Sequence, residues 1–174
     1  MKNIFLYILL ISCTAVSCGS DEESLQRIDQ VLNIYMNSST NQQDLLNSKK
    51  AGSYTGYSVN DKFGSKDISP VSIPLRMRTD SVFYMEYVGG AIRRKLDSTG
   101  PANPGSGNAY VSKMEITFTK TVNNTVESTV DQLEIHYRKS PSLFQVSEVL
   151  YNGKLAFSKE ADAPTSINNV TITK

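Results

Sequence analysis

The side chains that most often do chemistry are scarce in this chain. It has one His, at position 136, and two Cys, at positions 13 and 18, among 174 residues. A nucleophilic Ser or Cys needs a base within hydrogen-bond reach. His136 alternates with Glu134 and Arg138 in a strand-like stretch, which places it on a polar, solvent-facing surface. A zinc site needs three or four nitrogen or sulfur ligands, more than this inventory supplies. Gly100, Gly105 and Gly107 lack the strand–helix setting and the Lys of a phosphate-cradling loop. Asn60-Asp61-Lys62-Phe63-Gly64 lacks the alternating acids and closing Glu of a calcium loop and reads as a turn. Paired carboxylates for glycoside hydrolysis exist in number only, as Asp61, Asp67, Asp80, Glu86, Asp97 and Asp131, in a chain with no Trp to stack a sugar. No catalytic residue, metal ligand or cofactor is assigned, and the chain is not read as an enzyme.

The pattern that does carry chemistry lies near the start. Lys2 precedes an apolar run of roughly ten residues, the length of a secretory signal core and about half that of a membrane-spanning helix. Then comes Ala15-Val16-Ser17-Cys18-Gly19. It resembles the bacterial lipoprotein box, in which small residues precede a Cys that is diacylated and becomes the new N-terminus; Ala15 stands where Leu is commoner. The resemblance implies a signal peptide over 1–17, lipid attachment (palmitate among the acyl chains) at Cys18, and an outer membrane reached through those chains. Cys13 would leave with the signal peptide and Cys18 would be consumed by lipid, so no disulfide remains to brace the fold. The alternative is an ordinary cleavage site with an incidental Cys.

Ser20-Asp21-Glu22-Glu23 follows at once. It looks like the export signal by which Bacteroidota, flavobacteria especially, place lipoproteins on the outer cell face. The same residues are also local helix chemistry, since Ser20 and Glu23 form a capping box and acids favour a first helical turn. A lipoprotein facing the periplasm is the alternative location. Asp97-Ser98-Thr99 and Asp80-Ser81-Val82 resemble the Asp-Ser/Thr-apolar O-glycosylation site of the same bacteria, which would place glycans on Ser98 or Ser81.

The elements that must position these residues fall into one β-rich domain over 24–174, beyond a tether at 18–23. Leu25, Ile28, Val31, Leu32, Tyr35 and Met36 recur at helical spacing in an arc of roughly 140°, so an amphipathic helix is expected over 24–36. A second short helix is expected at 41–49, with Thr40 and Gln43 as capping box and Leu45-Leu46 as its buried contact. From Tyr54 the period becomes two. Three two-residue turns predict hairpins. Gly89-Gly90 would join 81–88 to 91–96, with Tyr87 opposite Ile92, Phe83 opposite Leu96, and Glu86 opposite Arg93. Asn123-Asn124 would join 110–122 to 125–138, pairing Met114 with Leu133, Lys113 with Glu134, Lys120 with Glu127, and Tyr110 with Tyr137. Asn152-Gly153 would join 143–151 to 154–159, with Leu150 opposite Leu155. Asp131 opposite Ile116 and Arg94 opposite Met85 are misfits that mark a bulge or an open rim. With further strands at 54–59, 71–78 and 167–173, the expected fold is mainly β: an antiparallel meander of about nine strands, curved, barrel-like or sandwich, carrying one or two short N-terminal helices. Residues 97–109 are expected to form a long turn-rich loop with little to bury.

Composition narrows function further. Lys plus Arg is 18 and Asp plus Glu is 17, a balance that argues against a nucleic-acid partner bound through phosphate neutralisation. Nine Tyr and six Phe spread through the β region are the remaining distinctive feature. Most suit a core or strand surface, and those on an exposed face suit protein docking. The expectation is a non-enzymatic binding or accessory subunit of an envelope complex for outer-membrane assembly, export or nutrient uptake, with a protein partner there. Two alternatives stay open: a lipocalin-like carrier of a small apolar ligand, and an inhibitor or immunity lipoprotein.

Overall fold

Alternation of apolar and polar residues, read with period two, runs through nearly every element of the chain. The computed structural model describes residues 26–96, 108–161, 163 and 167–174. The 1–17 signal segment, Cys18, Ser20, Asp21, Glu22, Glu23, Ser98 and positions 97–107 of the expected loop lie outside them. Eleven strands form, and no helix occurs among the described residues: β1 (Arg27–Asp29), β2 (Leu32–Asn37), β3 (Gly56–Asp61), β4 (Leu75–Met77), β5 (Phe83–Tyr87), β6 (Arg94–Lys95), β7 (Ala109–Val122), β8 (Thr125–Lys139), β9 (Leu143–Tyr151), β10 (Lys154–Ser158) and β11 (Asn168–Thr173).

The first correction is the N-terminal helix. Residues 27–37 make two strands instead. A helix would have set Ile34 on the polar side, opposite Leu25. In β2, Leu32, Ile34 and Met36 line one face and are wholly buried, while Asn33, Tyr35 and Asn37 line the other. The expected helix at 41–49 is also absent. Asn41 Oδ1 accepts the Gln43 amide, Asp44 Oδ1 accepts the Leu46 amide, and Asp44 bridges back to Asn37. These short side chains satisfy the backbone locally and compete with helix formation.

Seven strands build a curled half-barrel in the order β1-β9-β8-β7-β3, with β10 beside β1 along β9 and β6 beside β3 along β7. Two irregularities help it curl. Ser147 of β9 has no opposite residue between the His136–Glu148 and Tyr137–Val146 pairs, and the β10–β9 register shifts between Leu155 and Phe157. Such extra residues increase local twist. The other sheet has the order β11-β2-β5-β4. Both sheets turn one face to a shared core: Leu32, Ile34, Met36, Met85, Tyr87, Val170 and Ile172 from the small sheet meet Ile116, Phe118, Leu133, Ile135, Tyr137 and Val149 from the large one. Each such fully buried side chain contributes about 1.5–3 kcal/mol over its exposed state.

The Asn123-Asn124 and Asn152-Gly153 hairpins form in the expected register, Met114 opposite Leu133 and Leu150 opposite Leu155. The four turn residues Asn123, Asn124, Asn152 and Gly153 all have positive φ, as the turn type requires. The Gly89-Gly90 hairpin does not form. β5 pairs with β2 and β4, so Tyr87 faces Leu32, Glu86 faces Asn33 and Met85 faces Ile34. Beyond the glycines the chain crosses to the large sheet, where Arg94 pairs with Val111. Gly90 has φ +110, and a Cβ on Gly89 would meet the Gln30 amide at 3.1 Å, so the pair turns the chain between sheets. Nor is the order a meander: β1 pairs with β9 and β2 with β11, both in parallel.

Candidate docking face

The outer face of the small sheet gathers side chains from four strands. Alternation along β2 presents Asn33, Tyr35 and Asn37 outward, and the parallel β11 places Asn169, Thr171 and Thr173 beside them in register. On the other side of β2, β5 adds Tyr84 and Glu86, and β4 sets Arg76 opposite Tyr84. The Tyr35 and Tyr84 rings lie 5.6 Å apart at 37°, both half-buried. Arg76 donates to Glu86 at 3.0 Å from the edge of this face. Tyr35, Asn37, Arg78, Val82, Asn169 and Thr171 surround a cleft of about 290 Å³.

The outer face of the large sheet is built differently. Lys113 meets Glu134 at 2.7 Å, Lys62 meets Glu115 at 2.7 Å, and His136 Nε2 lies 2.6 Å from Glu134 Oε1. Burial alone would raise the Glu134 carboxyl, but hydrogen bonds from Lys113 and His136 outweigh it and hold it below the usual range. His136 thus occupies the polar face expected of it, half-buried and tied to a carboxylate.

The carboxylates counted in the sequence do not converge. Asp61 is buried and accepts the Phe63 and Ile92 amides, while Asp131 is buried against Lys174, Tyr151 and Asn152. Glu86 is held by Arg76, Asp80 by Arg78 at 3.2 Å, and Asp97 lies outside the described residues. Among the described residues no group of three His, Cys, Asp or Glu comes together. Asp131, the misfit opposite Ile116, stands at an open rim rather than a bulge, for the β7–β8 register is unbroken and β9 ends there. Burial pushes its carboxyl up, and hydrogen bonds from Lys174, Asn152 and Tyr151 bring it below the usual carboxylate range. Desolvation, with Asp131 alongside, pushes the Tyr151 phenol up strongly. The Lys174 ammonium also lies 5.2 Å from the Phe118 ring centre and 5.3 Å from that of Tyr54.

The run Arg93-Arg94-Lys95 forms no basic patch. Arg93 lies over the Tyr137 and Phe144 rings and donates to Gln30, whereas Arg94 lies 4.3 Å from the Phe63 ring centre. Of the tyrosines in the β region from Tyr54 onward, Tyr87, Tyr137 and Tyr151 are buried, Tyr54, Tyr57 and Tyr110 pack half-buried against the core, and Tyr84 faces outward. Tyr35, its outward partner, falls on the stripe of the expected helix. The alternation from Leu32 to Asn37 is the signal that locates it. Ser81 lies in the exposed 78–82 turn with φ +64, its amide donating to the Arg78 carbonyl at 3.0 Å.

The chain matches no family model, no curated protein and no solved structure.

Proposed function

We propose that this chain is a lipid-anchored outer-membrane lipoprotein, displayed on the cell exterior, that acts as a non-enzymatic binding or accessory subunit of an envelope complex. The anchor rests on Ala15-Val16-Ser17-Cys18-Gly19 and the outward placement on Ser20-Asp21-Glu22-Glu23. The body docks through the outer face of the small sheet. The observation that carries this reading is the half-exposed Tyr35–Tyr84 pair, bordered by Arg76 and Arg78 and by the Asn and Thr side chains of β2 and β11. Tyr and Arg are the residues enriched at the energetic centres of protein interfaces. The large sheet's outer face offers paired charges, which contribute little when solvated. Tyr87, Tyr137 and Phe118 fill the space between the sheets that an apolar ligand would need in a carrier, and this favours docking.

Acyl chains hold the body at the membrane, so the docking face needs only modest affinity for a neighbouring subunit. A mild-detergent pull-down of the acylated protein, followed by mass spectrometry, should recover the partner. Y35A/Y84A should lose it while keeping the fold; unchanged recovery would exclude this face. Cys18→Ser should abolish palmitate incorporation, and replacing Asp21, Glu22 and Glu23 with Ala should remove the protein from surface-protease reach on intact cells. The exposed Ser81 turn is the O-glycosylation position beside this face, and a glycan there would shield the Arg78–Val82 side of the cleft. Intact-mass analysis of wild type against Ser81→Ala reads whether that sugar is present.

A further inference from the structure

The β7–β8 hairpin is longer than the sheet that holds it. β9 pairs with β8 only from Leu133 onward, opposite Tyr151, and Asn152 closes the ladder by bonding both backbone groups of Gln132 through its amide N–H and its side-chain oxygen. β3 leaves β7 at Thr119. Beyond these points the hairpin continues as a two-stranded arm to the Asn123-Asn124 turn, and every residue from Thr125 to Val130 is exposed. Among the described residues no strand pairs with 125–131 on the side away from β7.

Hydrogen-bonding groups in an antiparallel strand alternate sides residue by residue. Gln132 points its N–H and C=O toward β9, so Val130, Ser128 and Val126 point theirs to the open edge. Along that edge the arm has no Lys, no Pro and no bulge, and its one charged side chain between Thr125 and Val130 is Glu127. Val126 and Val130 are 67% and 60% exposed, and Thr117, Thr119 and Thr121 stand beside them on β7. Glu127 points to the opposite face, where it pairs with Lys120 at 3.5 Å.

We infer that this edge pairs with the same edge of a second copy of the chain, antiparallel and centred on Ser128. The occupant follows from the edge's complementarity to itself. A two-fold pairing through Ser128 sets Val126 opposite Val130 of the other copy, twice, and Ser128 opposite Ser128. These are the three positions whose N–H and C=O face outward, so each finds a partner. On the other face Glu127 meets Thr129 and Thr125 meets Asp131, and no like charges stand opposite. Centring on Glu127 would oppose two carboxylates at a close pair. Centring on Val130 would need Gln132, which Asn152 already occupies. The result is a closed two-fold assembly joined by strand addition, with one surface used by both copies. It leaves the Tyr35 face free and does not rest on the proposed function.

The test uses the full chain in cells, as two differently tagged copies bearing Glu127→Cys and Thr129→Cys. The proposed register brings those positions together at a non-hydrogen-bonded pair, with Cα atoms about 4.5 Å apart, inside the span of about 4.4–6.8 Å that a disulfide bridges. Mild oxidation should yield mixed dimer on the order of tenfold above two tagged Ile68→Cys copies, a control at a 78% exposed position. Adding V126K/V130K, which sets lysines opposite one another without touching the backbone ladder, should return the band to the control level. The inference is overturned if the mixed dimer does not exceed the Ile68→Cys control, if it survives V126K/V130K, or if the cysteines are captured by a different protein instead.

Discussion

The two sheets meet along two seams, and buried aspartates fasten each seam by a different chemistry. Along β11 the fasteners are lysine clamps. At its start, Lys159 Nζ donates to Asp29 at 2.6 Å and to Asn168 at 3.0 Å, and Asn168 donates to Asp29 at 3.1 Å. Just past its end, Lys174 binds Asp131 together with Tyr151 and Asn152. At the opposite seam the carboxylates hold backbone amides. Asp44 accepts from Leu46 and Phe83, both at 2.9 Å, and Asp61 from Phe63 at 2.8 Å and Ile92 at 2.6 Å. All four carboxylates are buried. The chain itself passes between the sheets at both seams, from β1 to β2 at 30–31 beside Asp29 and, on the other side, at 62–74 and 88–93. At the amide seam each carboxylate holds one amide two positions on and another 39 or 31 positions away. At the β11 seam the joined residues are 130 and 43 positions apart. There long lysine side chains bridge the sheets, at a cost in rotamer entropy and desolvation.

The comparison orders the expected losses. Lys159→Met should be the most damaging, about 3–5 kcal/mol in chemical denaturation, because it strands the Asp29 charge in the interior. A loss under about 1 kcal/mol would mean that water reaches Asp29. Asp61→Ala removes the acceptor for two amides and should cost about 2–3 kcal/mol, with amide exchange accelerated at Ile92 before the rest of the core. If exchange rose evenly throughout, the staple would not be acting locally.

Asp131→Asn should cost less, about 1–2 kcal/mol, since it keeps an oxygen for Tyr151. Its pH dependence is the sharper readout. The Asp131 carboxyl titrates below its unfolded value, so its contribution is complete above about pH 4 and fades as pH falls through the folded value. The variant should therefore show a flatter decline of stability below about pH 4–5 than wild type. Equal slopes would remove Asp131 from the acid response. Smallest is Tyr151→Phe, about 1 kcal/mol, because Lys174 and Asn152 still hold the carboxylate. A larger loss would show that the hydroxyl, not the lysine, carries the clamp.

Part of the docking face was legible before any fold: Tyr84 reads as a strand aromatic near a turn. Tyr35 was hidden because Leu25, Ile28, Val31, Leu32, Tyr35 and Met36 also satisfy a helical period. The choice between the two readings turned on Ile34, which a strand buries and a helix exposes. Asn169 and Thr171 were readable as a strand's polar face but not as neighbours of Tyr35, since that pairing joins residues at the two ends of the described chain.

Local chemistry settled the hairpins in advance. Asn123-Asn124 and Asn152-Gly153 hold positive φ cheaply, and a two-residue turn leaves one register in which Lys113 meets Glu134 and Leu150 meets Leu155. The same rule misassigned Gly89-Gly90, because glycine permits positive φ without stating which strand comes next. What only the tertiary structure decided is which edges meet: β1 on β9, β2 on β11, and the link from β5 to β6 across the seam. Those pairings have no short turn to fix them. They follow from burying two apolar faces against each other and from buried aspartates finding lysines and amides far along the chain.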